Sequence, residues 1–524
     1  MSEPVVSATN TRRWWALAVL CLSVLLVVVD NMIVNVALPT LSRELKASTS
    51  DLQWFVDAYT LLFAGLLLTG GSLGDRLGRK RMLQIGLVLF GLTSLWAASS
   101  SSTGELIAAR AAMGVSAAVV YPATLALLSS IFTNRGERAT AIGIWSAVSG
   151  LAVVIGPISG GALLRHFSWH SIFLVNIPLV VIALVAGVRL LPNSRDENPG
   201  RFDVVGAVLT VFSIGLLVWT VIEAPDRGWL SPATLGGFAG GVALLLVFVW
   251  WEARVASPLL DIAVFRNPRV FAASASIGAA FFALFGFVFL ITQYLQSIRG
   301  YNTLQAGVAI IPFALVMVAL SPVSILLSKR IGTKLVVCGG LLLMTAGFIV
   351  IATAAVNAAY WGPLVIVMVL LAAGLALAST PATDAIMGAI SATKFGAGSA
   401  INDTTREVGG ALGLAVIGSV MNSFFVTRIG SHFTRLGLPA ATVAAAQKSV
   451  TAALSISQHL PASLAGPARY ATQHAFMDGL HAGSFAGAGV TAVAACAVLA
   501  FLPSRDRDPA PAPDSDPQPS VMVR

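Results

Sequence analysis

Apolar stretches of near-spanning length recur along the chain, separated by short polar breaks. About fourteen such runs can be drawn, each close to the roughly 20 residues that a bilayer core requires. They cover residues 14–38, 52–72, 82–100, 105–131, 138–163, 169–191, 204–224, 232–252, 269–297, 304–329, 334–356, 361–391, 398–425 and 482–503. The first run follows Arg12 and Arg13, as a signal peptide would. At about 25 residues it is too long for a signal h-region and lacks a small-residue cleavage site, so it reads as a retained span. The pattern predicts an all-α membrane protein with 14 transmembrane helices.

Composition agrees: 56% of residues are hydrophobic and only 10% charged, against about 25% charged in a soluble domain. The formal net charge of +9 comes from residues scattered over loops, which argues for a membrane and against a nucleic-acid partner. With both termini in the cytoplasm, about 21 Lys and Arg fall on inner segments and about 9 on outer ones, as the positive-inside rule asks. Cys21, Cys338 and Cys496 all fall within spans, so no disulfide framework is expected. Residues 427–480 are polar and Ala-rich and read as an extracytoplasmic excursion with two short amphipathic helices. The Pro- and Asp-dense tail, 504–524, is expected to be a disordered cytoplasmic segment.

A turn rich in glycine and charge, Gly71-Ser72-Leu73-Gly74-Asp75-Arg76-Leu77-Gly78-Arg79-Lys80-Arg81, lies between the second and third runs, and Leu327 to Lys334 is a fainter copy. Gly74 and Gly78 would let two helices reverse and pack closely, Asp75 would hold a charge at a helix end, and Arg79 to Arg81 would stay in cytoplasm. The turn resembles the loop signature of the major facilitator superfamily, G-x-L-[AG]-D-R-x-G-R-K. Pro122-Ala123-Thr124 likewise recurs as Pro381-Ala382-Thr383, at nearly the same offset as the turns. This internal repeat implies a six-helix bundle in 1–200, two inserted helices in 201–262 and a second six-helix bundle in 263–503. Substrate would then bind near mid-membrane between bundles that rock against each other.

Further stretches are similar to the 14-span drug/proton antiporters, the family of quaternary-ammonium and multidrug exporters. They are Asp30 to Pro39, Leu106-x-x-x-Arg110-x-x-Met113-Gly114, Gly156-Pro157-Ile158-Ser159-Gly160-Gly161, and Trp169 to Pro178. Met113 stands where that family usually has glutamine, and Ala152 replaces a glycine. Gly156, Pro157, Gly160 and Gly161 suit an antiporter hinge, since proline removes one helix hydrogen bond; the alternative is ordinary small-residue packing.

Ionisable residues inside spans are costly and by default functional. Asp30, Asp57 and Arg110 lie at similar depth and are expected to meet around one cavity. Burial favours a protonated carboxyl and a nearby guanidinium favours the carboxylate, so a small movement of Arg110 would change whether Asp30 holds a proton. Asp30 is therefore either the main coupling carboxylate or half of a structural ion pair. Asp57, which resembles an aspartate of organic-cation exporters, either joins it or is solvated at the interface. A second cluster comprises Asp384, Asn402, Asp403, Arg406 and Glu407. Spacing lets Arg406 pair with Asp403 and puts Asp403 and Glu407 on one face, while Asp384 matches Arg406 in depth. The cluster is either an inner gate of ion pairs or a proton and substrate site, with Glu407 tuning substrate charge. Glu105 reads as part of a capping box with Ser102, Glu223 as interfacial. Phe281, Phe282, Phe285 and Phe289 face either lipid or a drug cavity.

No phosphate-cradling loop and no metal spacing among the six histidines occurs. The chain is therefore expected to be a monomeric transporter without ATP or other cofactor, not an enzyme, in a bacterial cytoplasmic membrane. The resemblance implies that protons drive the efflux of lipophilic, often cationic drugs. The alternatives are a dedicated exporter of one metabolite, antibiotic or lipid, and a non-transporting scaffold or receptor.

Overall fold

A computed structural model describes residues 5–47, 49–195, 202–256, 258–260, 262–391 and 394–502. The expected disordered tail lies outside them. The first seven helices are α1 (Val5–Glu44), α2 (Thr49–Leu77), α3 (Arg79–Ser99), α4 (Thr103–Ile131), α5 (Arg135–His166), the single turn α6 (Ser171–Leu174) and α7 (Asn176–Leu190). Then come α8 (Val204–Arg227) and α9 (Pro232–Glu252). The remainder is α10 (Pro268–Gln293), α11 (Thr303–Ala309), α12 (Ile311–Ile331), α13 (Thr333–Ala352), α14 (Val365–Ala389), α15 (Phe395–Arg435), α16 (Ala440–Gln447), α17 (Val450–His459) and α18 (Ala462–Phe501). Among the described residues, thirteen helical stretches are long and apolar enough to cross a membrane, and α8 adds a shorter apolar stretch, Val204–Thr220.

Short polar breaks suffice because side chains close the helix starts. Ser102 accepts a hydrogen bond from Glu105 N at 3.3 Å, Asn134 accepts from Gly136 and Glu137 N, and Asn302 forms a capping box with Gln305. The two basic turns reverse at Gly78 (φ +103°) and Gly332 (φ +91°), a backbone region that only glycine enters without strain.

One buried core joins α1 to α7, from Ala16 to Leu191, and another joins α10 to α18, from Ala272 to Leu502. A third small core lies over their seam: Ile214 and Val218 of α8 and Phe248 of α9 pack with Ala64 and Leu68 of α2 and Ala400 and Ile401 of α15. The inserted hairpin thus covers the line where α2 meets α15. The two short helices expected between 427 and 480 are α16 and α17. They join helices that run on beyond their apolar parts, α15 and α18 being 41 and 40 residues long in all. Arg428 pairs with Asp478 at 3.1 Å across this extension, and Gln447 donates to the Val426 carbonyl.

Candidate functional site

In the first half, Asp30 and Arg110 are fully buried and pair at 2.7 Å. The second Asp30 oxygen accepts from Asn176 Nδ2 at 2.7 Å, and Asn176 also donates to Ser94 Oγ at 3.0 Å. Arg110 Nε donates to the Phe55 carbonyl at 2.9 Å, and its guanidinium lies 4.4 Å from the centre of the Tyr59 ring. Each carboxylate oxygen therefore has a donor, and the pair ties α1, α2, α4 and α7 into one body. Gly114, one turn after Arg110, lets α4 approach α2 so closely that an added methyl would strike the Tyr59 backbone. Asn176 was not singled out by the sequence reading, although it stands in the Trp169 to Pro178 stretch.

Asp57 does not join this group. It is half-buried and faces α8, where Glu223 is the charge that acts on it; Glu223 itself holds Arg227 at 3.0 Å. The physical reason is helical phase. Two residues after Phe55, whose carbonyl meets Arg110, the chain has turned about 200°.

The basic turn docks the first half onto the second. Asp75 accepts from Gly396 N at 2.8 Å and Ala397 N at 3.0 Å, so it caps the start of α15. Arg79 is buried, bonds Asp75 at 2.7 Å and Ser194 Oγ at 2.8 Å, and lies 5.5 Å from the Phe395 ring centre. Arg79 is thus held inside the protein, where it steadies the capping carboxylate. Lys80 donates to the Val188 carbonyl, and Arg76 contacts Ser72 Oγ at 3.4 Å and the Phe202 ring. Close packing falls on Gly71, whose added methyl would lie 2.7 Å from Ala400 Cβ, whereas Gly74 has open space around it.

Asp384 is not beside Arg406. It reaches across the halves to Arg138 of α5 at 3.7 Å. The residues expected to form a hinge pack α5 on two neighbours. A methyl on Gly156 would lie 2.5 Å from Met32 Cβ and one on Gly160 2.8 Å from Ile33 Cγ1, both on α1, while Pro157 abuts Gly307 of α11. Gly161, also expected at the hinge, is half-buried beside them.

At mid-depth the halves meet around Arg406. Its distance from the α15 start is 11 residues (406 − 395), about 16 Å. Arg406 does not pair with Asp403. Its Nη2 donates to Thr383 Oγ1 at 3.1 Å, and its guanidinium lies 5.1 Å from the Trp145 ring centre and 4.9 Å from that of Phe281. Asp403 is occupied by Asn402 Nδ2 at 2.9 Å and Ser399 Oγ at 3.4 Å, and Thr383 donates to Asn402 Oδ1 at 2.8 Å. Glu407, one turn on, is half-buried with no hydrogen bond or ion pair among the described residues. The phenylalanine stripe faces inward, against the lipid reading: Phe281 meets Arg406, the Phe285 and Phe289 rings lie against Gly410 and Gly418 of α15, and Phe282 is buried.

The sequence profile of the Major Facilitator Superfamily matches residues 20–414. The multidrug efflux pump LfrA of Mycolicibacterium smegmatis is 37% identical over 480 residues, covering 91% of this chain and 94% of its own. The multidrug resistance protein Stp of Mycobacterium tuberculosis is 35% identical over 415 residues, 79% of this chain and 77% of its own. Among solved structures, the human organic anion transporter MFSD10 (TETRAN) superposes with a TM-score of 0.57 at 14% identity, covering 93% of this chain and 99% of that one.

Proposed function

The chain belongs to the major facilitator superfamily, and we propose that within it this protein is a proton-coupled exporter of lipophilic, often cationic drugs. The observation that carries this reading is the polar cluster of buried Arg406 and Asp403 and half-buried Glu407 at mid-depth, where aromatic side chains of both halves converge. A buried carboxyl without a cationic partner gains by holding a proton, and aromatic walls suit lipophilic cations. The kinship with a multidrug efflux pump and a multidrug resistance protein supports drug export.

In this reading the basic turns lie in the cytoplasm and both termini with them. The contacts of Asp75 with α15 and of Arg138 with Asp384 then hold the cytoplasmic side shut. Residues 1–200 and 263–503 rock as two bundles, and the inserted pair in 201–262 seals the α2 and α15 line against lipid. A proton entering along the gradient supplies about 2.3 kcal/mol per charge for each 100 mV. Asp403 and Glu407 carry the proton, and Asp30 with Arg110 holds the first bundle rigid.

The test is ethidium efflux from cells expressing the chain, with and without a protonophore. Protonophore-sensitive efflux in the wild type, slowed about tenfold or more in Glu407→Gln, a loss the size of one pK unit, is expected at unchanged protein level. Efflux indifferent to the protonophore would overturn proton coupling, and efflux unaffected in Glu407→Gln would remove that residue from the pathway.

A further inference from the structure

The repeated Pro-Ala-Thr tripeptides converge on one contact. Thr124 Oγ1 of the first copy accepts the Trp145 indole N–H at 3.1 Å, and Thr383 Oγ1 of the second accepts from Arg406. Trp145 is fixed further by its edge contact with Tyr121, ring centres 5.6 Å apart, and Tyr121 by Phe63. Arg406, by contrast, is loosely held. It is only 4% exposed, yet its Nε has no hydrogen-bond partner. It lies against two rings, one from α5 and one from α10, while the carboxylates of its own helix are engaged elsewhere or left single. A planar cation between aromatic faces, desolvated and with no ion pair to a carboxylate, is held as a flat organic cation would be.

We propose that Trp145 and Phe281 form the cation-recognition slot of this transporter and that Arg406 is its tethered occupant, displaced by substrate onto Asp403 and Glu407. This deepens the exporter reading and rests on it. With the slot filled by Arg406, neither carboxyl forms an ion pair, and in the proposed cycle one of them holds the proton. An entering organic cation takes the slot; Arg406 then swings to the carboxyls, which must release a proton to receive it. One positive charge enters and one proton leaves, so the net charge of the buried site is unchanged. A neutral drug would require no such exchange. The titratable groups facing the guanidinium are Asp403 and Glu407 on α15 and Tyr121 on α4, and Tyr59 on α2 faces Glu407. α5, α10 and α14 contribute Trp145, Phe281 and Thr383, none of which titrates.

The experiment uses the purified full chain in detergent, weakly buffered, with ethidium as the probe, reading binding by fluorescence anisotropy and released protons by a pH dye. The wild type is expected to release protons on binding. Arg406→Gln is expected to bind ethidium about tenfold tighter, because the competitor for the slot is gone, and to release none. Trp145→Ala is expected to weaken binding by a similar factor and Trp145→Phe to restore most of it. If Arg406→Gln does not fold by thermal melting, Arg406→Lys carries the test, expected to bind tighter with proton release kept. Unchanged or weaker binding in the folded Arg406 variant overturns the tethered-occupant idea while leaving the exporter reading intact. A folded wild type that neither binds ethidium nor releases protons overturns both.

Discussion

In the first half, the buried acid and base face each other at 2.7 Å, and the second oxygen of Asp30 is met by Asn176. In the second half, Asp403 and Arg406 stand one turn apart yet each bonds a neutral side chain instead, and Glu407 stands alone among the described residues. Both clusters lie within the membrane, but one is closed upon itself inside a single bundle and the other straddles the seam. A directly paired acid and base resist change, because separating them exposes two bare charges to a low dielectric. An undermatched cluster has several arrangements of similar energy, which is what an exchange cycle requires. The difference is the ground on which we give the proposed coupling role to the α15 residues rather than to Asp30, the leading sequence-based candidate.

The contrast is broken most directly at Arg110. Replacing one partner of a buried pair typically costs about 3–5 kcal/mol, so Arg110→Ala is expected to lower melting temperature and membrane yield together. An Arg110→Ala protein of normal stability that has lost only efflux would return the coupling role to Asp30. A middling effect is expected where the halves dock. Asp75→Asn removes part of the cap on α15, worth about 1 kcal/mol, or roughly a fivefold shift toward opening at the basic-turn end. Spin labels at the exposed Leu77 and at Lys394 would register it as a longer distance population. The smallest effect belongs to Arg138 and Asp384, which are 3.7 Å apart and partly exposed. Arg138→Ala should shift the same distances by about 1 kcal/mol or less, and a larger shift would make that pair, not the turn, the main closure.

The helices were legible because bilayer thickness imposes a length that apolar runs reveal directly. The turn was legible because reversal at Gly78 and the charge at Asp75 need those residue types. Which face of each helix points inward was not. Lipid is as apolar as a protein core, so Phe281 and Phe285 read the same whether they face α15 or acyl chains. Depth brought Asp57 level with Arg110, and only the phase of the helix, readable from Phe55 onward at about 100° per residue, separates them. Pairing of Arg406 with Asp403 was allowed by spacing, but Thr383, distant in sequence, and Asn402, next to Asp403, claimed those groups first. Asn176 could have been suspected, since an amide inside a span needs a partner.

The 41 residues of α15 make a rod about 60 Å long, roughly twice the hydrocarbon thickness. One end is pinned by Asp75 at Gly396, and the other is braced by α16, α17 and the start of α18. Such a rod is a lever: tilting it by about 10° about the pinned end would carry its tip about 10 Å. Motion too slight to resolve at the substrate slot would therefore be amplified at the far tip, where a dye on the exposed Arg435 could report each turnover from outside the bilayer.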